Sequence, residues 1–309
     1  MRLLGVDEVE AKMGLAAMAA VARADADFAA DEAALLSAAA KIYRVDDRRL
    51  VATPEEVAGA VPKPAARERI VQAMILMALM DGDVREAELD TIHAWARALG
   101  VDEPRVRNLT QLAHGHVKLM WCDLARRSFA RDVFVERLKE DGFIGLWQIV
   151  GPMVGMARDY ELAQKYIALG EHRPGSFGRA YFDFILENDL GFPGEARAVP
   201  ESGLWHDVTH VLAGYDTSPR EEVLLVAFIA GYKKVDPFFW LFTIALQFHL
   251  GIRVSPYSPS DTGLFDAAPV LGALERGAAS NTDLSAWDPW PHFARPLEEV
   301  RAELGVPPR

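Results

Sequence analysis

The chain has one cysteine, Cys122, among 309 residues. A single thiol excludes an intramolecular disulfide and gives no sign of a secreted disulfide framework. Basic charge is short as well: Lys and Arg total 33 against 45 Asp and Glu, a formal net charge of −12. Sequence-independent nucleic-acid binding needs a cationic surface, so nucleic acid is not an expected partner. No apolar run reaches the ~20 residues of a membrane-spanning helix. The N-terminus turns acidic at Asp7-Glu8, too early for a signal peptide, so the expected location is cytoplasmic. There is no Walker loop, no glycine-rich dinucleotide turn and no Gly-x-Ser-x-Gly elbow. No alternating apolar stretch argues for a sheet.

Half of the residues are hydrophobic, ample for a large core, and the length suggests two domains. The N-terminal third repeats itself with an offset of 56 residues. Ala17-Met18, Ala22, Asp25-x-Asp27 and Glu32 return as Ala73-Met74, Ala78, Asp81-x-Asp83 and Glu88; Val45-Asp46 returns as Val101-Asp102. Each copy reads as an apolar helix, a tight Asp-x-Asp turn, an amphipathic helix and a short cap. Thr53-Pro54-Glu55-Glu56 starts a helix between the copies, and Pro62-Lys63-Pro64 breaks it. Through Met80-Asp81-Gly82-Asp83 followed by Glu88, this segment resembles the TerB-like domain of tellurite resistance; the first copy has Ala26 where that pattern has Gly. The turns are not EF-hands: Glu32 and Glu88 come eighth from the first Asp, and the EF-hand carboxylate is twelfth. Two roles stay open for Asp81, Asp83 and Glu88. One is helix capping, with Asp83 paired to Glu86; the other is a second, weak cation site. The expected architecture is all-α in two domains: a small bundle over 1–106 with an internal helix-turn-helix repeat, and a larger helical domain over 107–309.

Arg126, Arg127 and Arg131 flank an apolar pattern with Phe129, Val133 and Phe134, either a solvated face or one turned to a membrane or a phosphate. Gly142 to Gly155 is rich in glycine and aromatics, and Pro152 breaks or kinks any helix there. Val223 to Tyr232 and Phe238 to Leu250 are strongly apolar, separated by Lys233-Lys234-Val235-Asp236-Pro237. They read as buried core helices by length. A second reading, compatible with the first, has them wall a tunnel for a lipid tail, lined by Phe228, Tyr232, Phe238 and Phe242 and opening where Lys233 and Lys234 meet anionic headgroups. Ser255 to Ser260 reads as a loop, and Trp287 and Trp290 as packing anchors.

The sharpest chemical signal is His206-Asp207-Val208-Thr209-His210, followed after eleven residues by Glu222. Histidines four apart lie on one helix face, where two imidazoles can converge on one divalent ion. Asp207 lies close to the same face. Gly214 reads as a helix stop; Ser218, Pro219 and Glu221 read as cap, first helical residue and capping-box partner of the next helix. If the two helices fold back, His210 and Glu222 meet at one level. His206, Asp207, His210 and Glu222 then surround a point suited to zinc or a similar ion. The competing reading is a surface histidine pair and a first-turn glutamate favoured by the helix dipole.

All four positions of His-Asp-x-x-His-x(11)-Glu match the signature of the coenzyme Q biosynthesis protein 4 family, which the chain resembles over about residues 107–309. The segment Pro174 to Phe184 is similar to the family's Leu-Gly-x-Ala-Tyr-x-x-Phe-like stretch, and Trp290 to Val306 resembles its closing helix. The resemblance implies ubiquinone biosynthesis: action at ring carbon 1 of a polyprenylated hydroxybenzoate, removing a carboxylate and installing oxygen. It also implies a scaffold role in a biosynthetic complex or homo-oligomer, peripheral to the inner face of a membrane, with an isoprenoid lipid or quinone precursor as ligand. No residue stands out as catalytic. A non-enzymatic lipid-binding scaffold whose metal staples two helices is the main alternative. A metal-dependent phosphohydrolase is another, but no spacing singles out His172, His249 or His292 as its distant partner.

Overall fold

The computed structural model describes residues 5–25, 28–46, 50–127, 159–196, 198–233, 235–254 and 259–309. The expectations for Asp27, Phe129, Arg131, Val133, Phe134, Gly142 to Gly155, Lys234 and Ser255 to Ser258 lie outside them.

Caps and prolines mark the helix starts. Asp7 accepts from the Glu10 amide at 2.9 Å, and Glu10 accepts from the Asp7 amide at 3.2 Å, opening α1 (Glu8–Val21). α2 is Ala30–Tyr43. Thr53 and Glu56 make the same reciprocal cap for α3 (Pro54–Ala60), which has proline at its first position. α4 (Pro64–Met77) and α6 (Pro104–Ala113) also begin on proline, with α5 (Glu86–Leu99) between them and α7 (Val117–Arg127) after them. Then come α8 (Tyr160–Ile167), α9 (Phe177–Glu187), α10 (Leu204–Ala213), α11 (Pro219–Tyr232), α12 (Pro237–Ile244), α13 (Ala267–Ala278) and α14 (Leu297–Glu303). The described residues are all-helical: sheet-like pairing is confined to two isolated bridges, Ser176–Pro296 and Leu250–Thr262. None of these helices is long and apolar enough to cross a membrane.

The repeat is visible in the backbone. Adding 56 to the bounds of α1 (8–21) gives 64–77, the bounds of α4; adding it to α2 (30–43) gives 86–99, the bounds of α5. The residue ending each second helix is left-handed in both copies, Arg44 at φ 59 and Gly100 at φ 67. The turn differs from its expected capping. The helix starts at Glu86, so Glu88, not Glu86, stands at the third position and accepts from the Arg85 amide at 2.9 Å. Asp81 accepts from the Asp83 amide at 3.1 Å, an Asx turn.

Packing groups the chain into two compact units. The first comprises Met1–Leu124 with Val226–Ala278, and the second Ala125–Leu225 with Ala279–Arg309; α11 starts in the second and ends in the first. In the first unit α1 packs along α4, α3 on α5, and α13 covers α2. α12 runs on into a π-helical turn, Ala245–His249. The late half of α11 crosses α13 at two glycines: a Cβ would lie 2.2 Å from the Leu274 carbonyl oxygen at Gly231, and 1.9 Å from that of Phe228 at Gly277. In the second unit an aromatic cluster forms the core. Phe177 stacks on Phe293 at 5.0 Å, Trp287 lies 6.0 Å from Phe177, and Trp290 lies 4.9 Å from Tyr166. α9, α10, α14 and the start of α11 surround the site described next.

Candidate metal centre

α10 presents His206 and His210 one turn apart and stops at Gly214, whose φ of +74 suits a left-handed cap. Five residues later Pro219 opens α11, and Glu222 lies in its first turn. The hairpin brings the three side chains together. His206 Nε2 is 3.1 Å from Glu222 Oε1, and His210 Nε2 is 3.3 Å from Glu222 Oε2. One donor atom from each of the three lies within 4.8 Å of the others. No other group of three or more His, Cys, Asp or Glu does this among the described residues.

The opposite ring nitrogens are held from behind. His210 Nδ1 faces the Tyr215 carbonyl at 3.1 Å, and His206 Nδ1 faces Asp207 Oδ1 at 3.5 Å. A hydrogen bond at Nδ1 fixes the tautomer that leaves Nε2 free to ligate. Asp207 is therefore placed behind His206 and does not join the three-donor cluster. His210 is 3% exposed and its ring stacks on Phe184 at 5.2 Å; His206 is 29% exposed, so the site opens on its side. Burial alone would lower the His206 pKa, but the facing Glu222 carboxylate and Asp207 outweigh it and raise it to about 10. Burial alone would raise the Glu222 pKa; the two imidazoles outweigh it and hold the carboxyl well below its usual range. Two nitrogens and one carboxylate match the donors of zinc sites and of two-histidine, one-carboxylate iron sites. Positive charge facing Glu222 is what the cluster favours, whether a proton or a divalent ion supplies it.

Several contributors carry no local sequence signal. Arg301 donates to the Leu212 carbonyl at 2.9 Å and the Val211 carbonyl at 2.8 Å, capping the end of α10. Arg309 donates to the Gly214 carbonyl at 2.9 Å, pairs with Glu221 at 2.5 Å, and lies over the Tyr215 ring at 4.8 Å. These contacts come from 85 or more residues along the chain. A groove of about 620 Å³ adjoins His210, lined in part by Asp183, Phe184, Glu187, Asn188, Tyr215 and Asp216.

The remaining expected residues lie elsewhere. Phe228, Tyr232, Phe238 and Phe242 are buried, with ring pairs at 5.8 Å (Phe228–Tyr232) and 6.0 Å (Phe238–Phe242), and none of them lines the groove. Lys233 lies over the Trp240 ring at 5.6 Å. Asp81, Asp83 and Glu88 do not gather as donors. Asp83 is exposed, Glu88 caps α5, and Asp81 pairs with Arg85 at 3.3 Å while Arg85 also pairs with Asp25. A guanidinium thus supplies the positive charge there. His249 meets the Met80 carbonyl at 2.9 Å and His292 meets Arg295 at 3.0 Å; neither they nor His172 join the cluster.

No family model matches the chain, and no curated protein does either.

Proposed function

We propose that this chain is a divalent-metal protein that binds zinc or a similar ion through His206, His210 and Glu222. On the motif likeness, it acts on the oxygen-bearing ring headgroup of an isoprenoid-quinone precursor. One observation carries the metal reading: both Nε2 atoms face one carboxylate while both Nδ1 atoms are held from behind. A bound ion would supply a centre that stabilises negative charge on a phenolate or carboxylate oxygen. The chain supplies the rest. Asp207 and the Tyr215 carbonyl orient the two imidazoles, Phe184 and the burial of His210 exclude water from one side, and the His206 edge leaves access. The acidic groove wall favours entry of a cation and disfavours an anionic ligand approaching along it, so an anionic headgroup is expected to arrive from the His206 side.

The test is metal content and affinity of the purified full chain, stripped and then titrated with zinc, ferrous, manganous and cobaltous ions. One equivalent per chain is expected, lost in His206→Ala and in His210→Ala. A wild-type chain that retains no stoichiometric ion refutes the reading.

A second reading has its own observation. The His–Glu distances of 3.1 and 3.3 Å are direct hydrogen-bond lengths. A charged His206–Glu222 pair could staple α10 to α11 without an ion. On that reading Glu222→Gln lowers stability and metal content is zero throughout.

A further inference from the structure

The Tyr181 hydroxyl is buried and has no hydrogen-bond partner among the described residues. Its side chain is fully buried, 6.1 Å from the Tyr166 ring and 6.0 Å from the Phe293 ring. The Tyr166 hydroxyl is itself committed to Glu201 at 2.8 Å. A buried hydroxyl without a partner is destabilising, and phenylalanine would fill the same aromatic cluster without that cost. The hydroxyl therefore calls for a partner.

Helix register points to one. α9 packs against α10: Phe184 stacks on His210, and earlier along both stretches Tyr166, beside Tyr181, reaches Glu201 just before α10. One turn before the Phe184–His210 contact stand Tyr181 on α9 and Asp207 on α10, each three residues earlier. Asp207 is buried, and its contact to His206 is long at 3.5 Å, so the carboxylate has lone pairs to spare. Burial raises the Tyr181 pKa well above its usual value and the Asp207 charge raises it further, so the phenol keeps a proton to donate. Buried waters characteristically bridge such groups.

We infer that one ordered water ties the Tyr181 hydroxyl to the Asp207 carboxylate, making Tyr181 a positioning residue that acts through Asp207 on His206. The inference rests on the metal reading above. It extends the site by a turn of α9 and assigns Tyr181 a role beyond packing.

The test uses the full chain loaded with cobalt or zinc. Tyr181→Phe keeps the ring and removes the hydroxyl. It should weaken metal affinity about tenfold, the lower end of what loss of an outer-shell partner costs. It should also shift the visible absorption of the cobalt form, which a packing role would leave alone. In an Asp207→Asn background it should add no further loss, because the two act in series. Wild-type affinity and spectrum in Tyr181→Phe overturn the inference, whatever happens to Tm. If the wild type binds no ion, the metal reading falls and this inference with it; if only the Tyr181→Phe effect is missing, the metal reading survives. Should Tyr181→Phe not fold, a high-resolution crystal structure of the wild type decides. A water within about 3.2 Å of both the Tyr181 and Asp207 oxygens supports the link, and a dry gap overturns it.

Discussion

Glu32 and Glu88 are buried carboxylates of the first unit, 3% and 1% exposed, each accepting the backbone amide at its own helix start. Burial is the main cause that raises Glu88 to about 8, with Asp81, Glu32 and Asp25 adding to it despite the Arg85 amide. Glu32 rises to about 7 for the same leading reason. The unfolded chain releases the Glu88 proton near 4.5, whereas the folded chain holds it to about 8. Between those values the folded state binds more protons, so stability is full below 4.5 and falls as pH rises through about 8. Glu88→Gln keeps an acceptor for the Arg85 amide and cannot ionise. Urea unfolding at pH 5 and pH 8 should therefore show a smaller drop in Glu88→Gln than in the wild type; equal drops would show that Glu88 does not titrate in this window. The sequence marked Glu88 as one of a repeated acidic set, but not its burial. Burial depends on what packs over the turn, and local pattern does not carry that.

At the scale of elements, α13 carries two glycines with opposite expectations. A Cβ on Gly272 meets nothing within 4 Å, whereas one on Gly277 meets the Phe228 carbonyl oxygen at 1.9 Å. Alanine is the better helix former by up to about 1 kcal/mol, so Gly272→Ala should stabilise by roughly 0.5–1 kcal/mol. Gly277→Ala must push α11 and α13 apart and should cost about 1–3 kcal/mol or more. Thermal unfolding of both variants checks the pair, and a stabilising Gly277→Ala would mean the crossing is looser than described. Much of the element order is legible from sequence. The 56-residue offset, the Pro54 start, the break at Pro62-Lys63-Pro64, the Gly214 stop and the Pro219 start all use rules that act within a few residues. His206 and His210 are likewise a local helical spacing, and Glu222 joins them because the intervening turn is short. The placement of Asp207 is not legible in that way. Spacing puts it near the ligand face, but the three-donor cluster forms from His206, His210 and Glu222, with Asp207 against His206 Nδ1. Tyr215, Arg301 and Arg309 were beyond reach for a simpler reason: a backbone carbonyl has no residue signature, and no periodicity links α14 to α10.

For the whole molecule, metal and protons compete for one cluster. With His206 raised to about 10, the metal-free chain holds that proton at pH 7, and an ion must displace it to use Nε2. Zinc binding at pH 7 should therefore release close to one proton from His206. Calorimetry in buffers of different ionisation enthalpy measures this, and a buffer-independent heat would show that His206 is already neutral. The sign for stability follows. A folded pKa raised above 6.5 gives the metal-free chain a contribution that is full below 6.5 and lost as pH rises through about 10. Metal should reverse that trend, adding most stability where His206 binds protons least; at an ion concentration of a hundred times Kd the gain is about 2.7 kcal/mol.

The Arg309 contacts bear on how the protein can be handled. Its guanidinium reaches the Gly214 carbonyl, Glu221 and the Tyr215 ring, all in the turn between His210 and Glu222. A polyhistidine tag joined after Arg309 would hang beside that turn and bring six spare imidazoles within reach of the cluster. Such a chain would report more than one metal equivalent, and His206→Ala or His210→Ala would appear to retain the ion. A tag placed far from Arg309, cleaved before the metal is counted, leaves the Arg309 clasp intact.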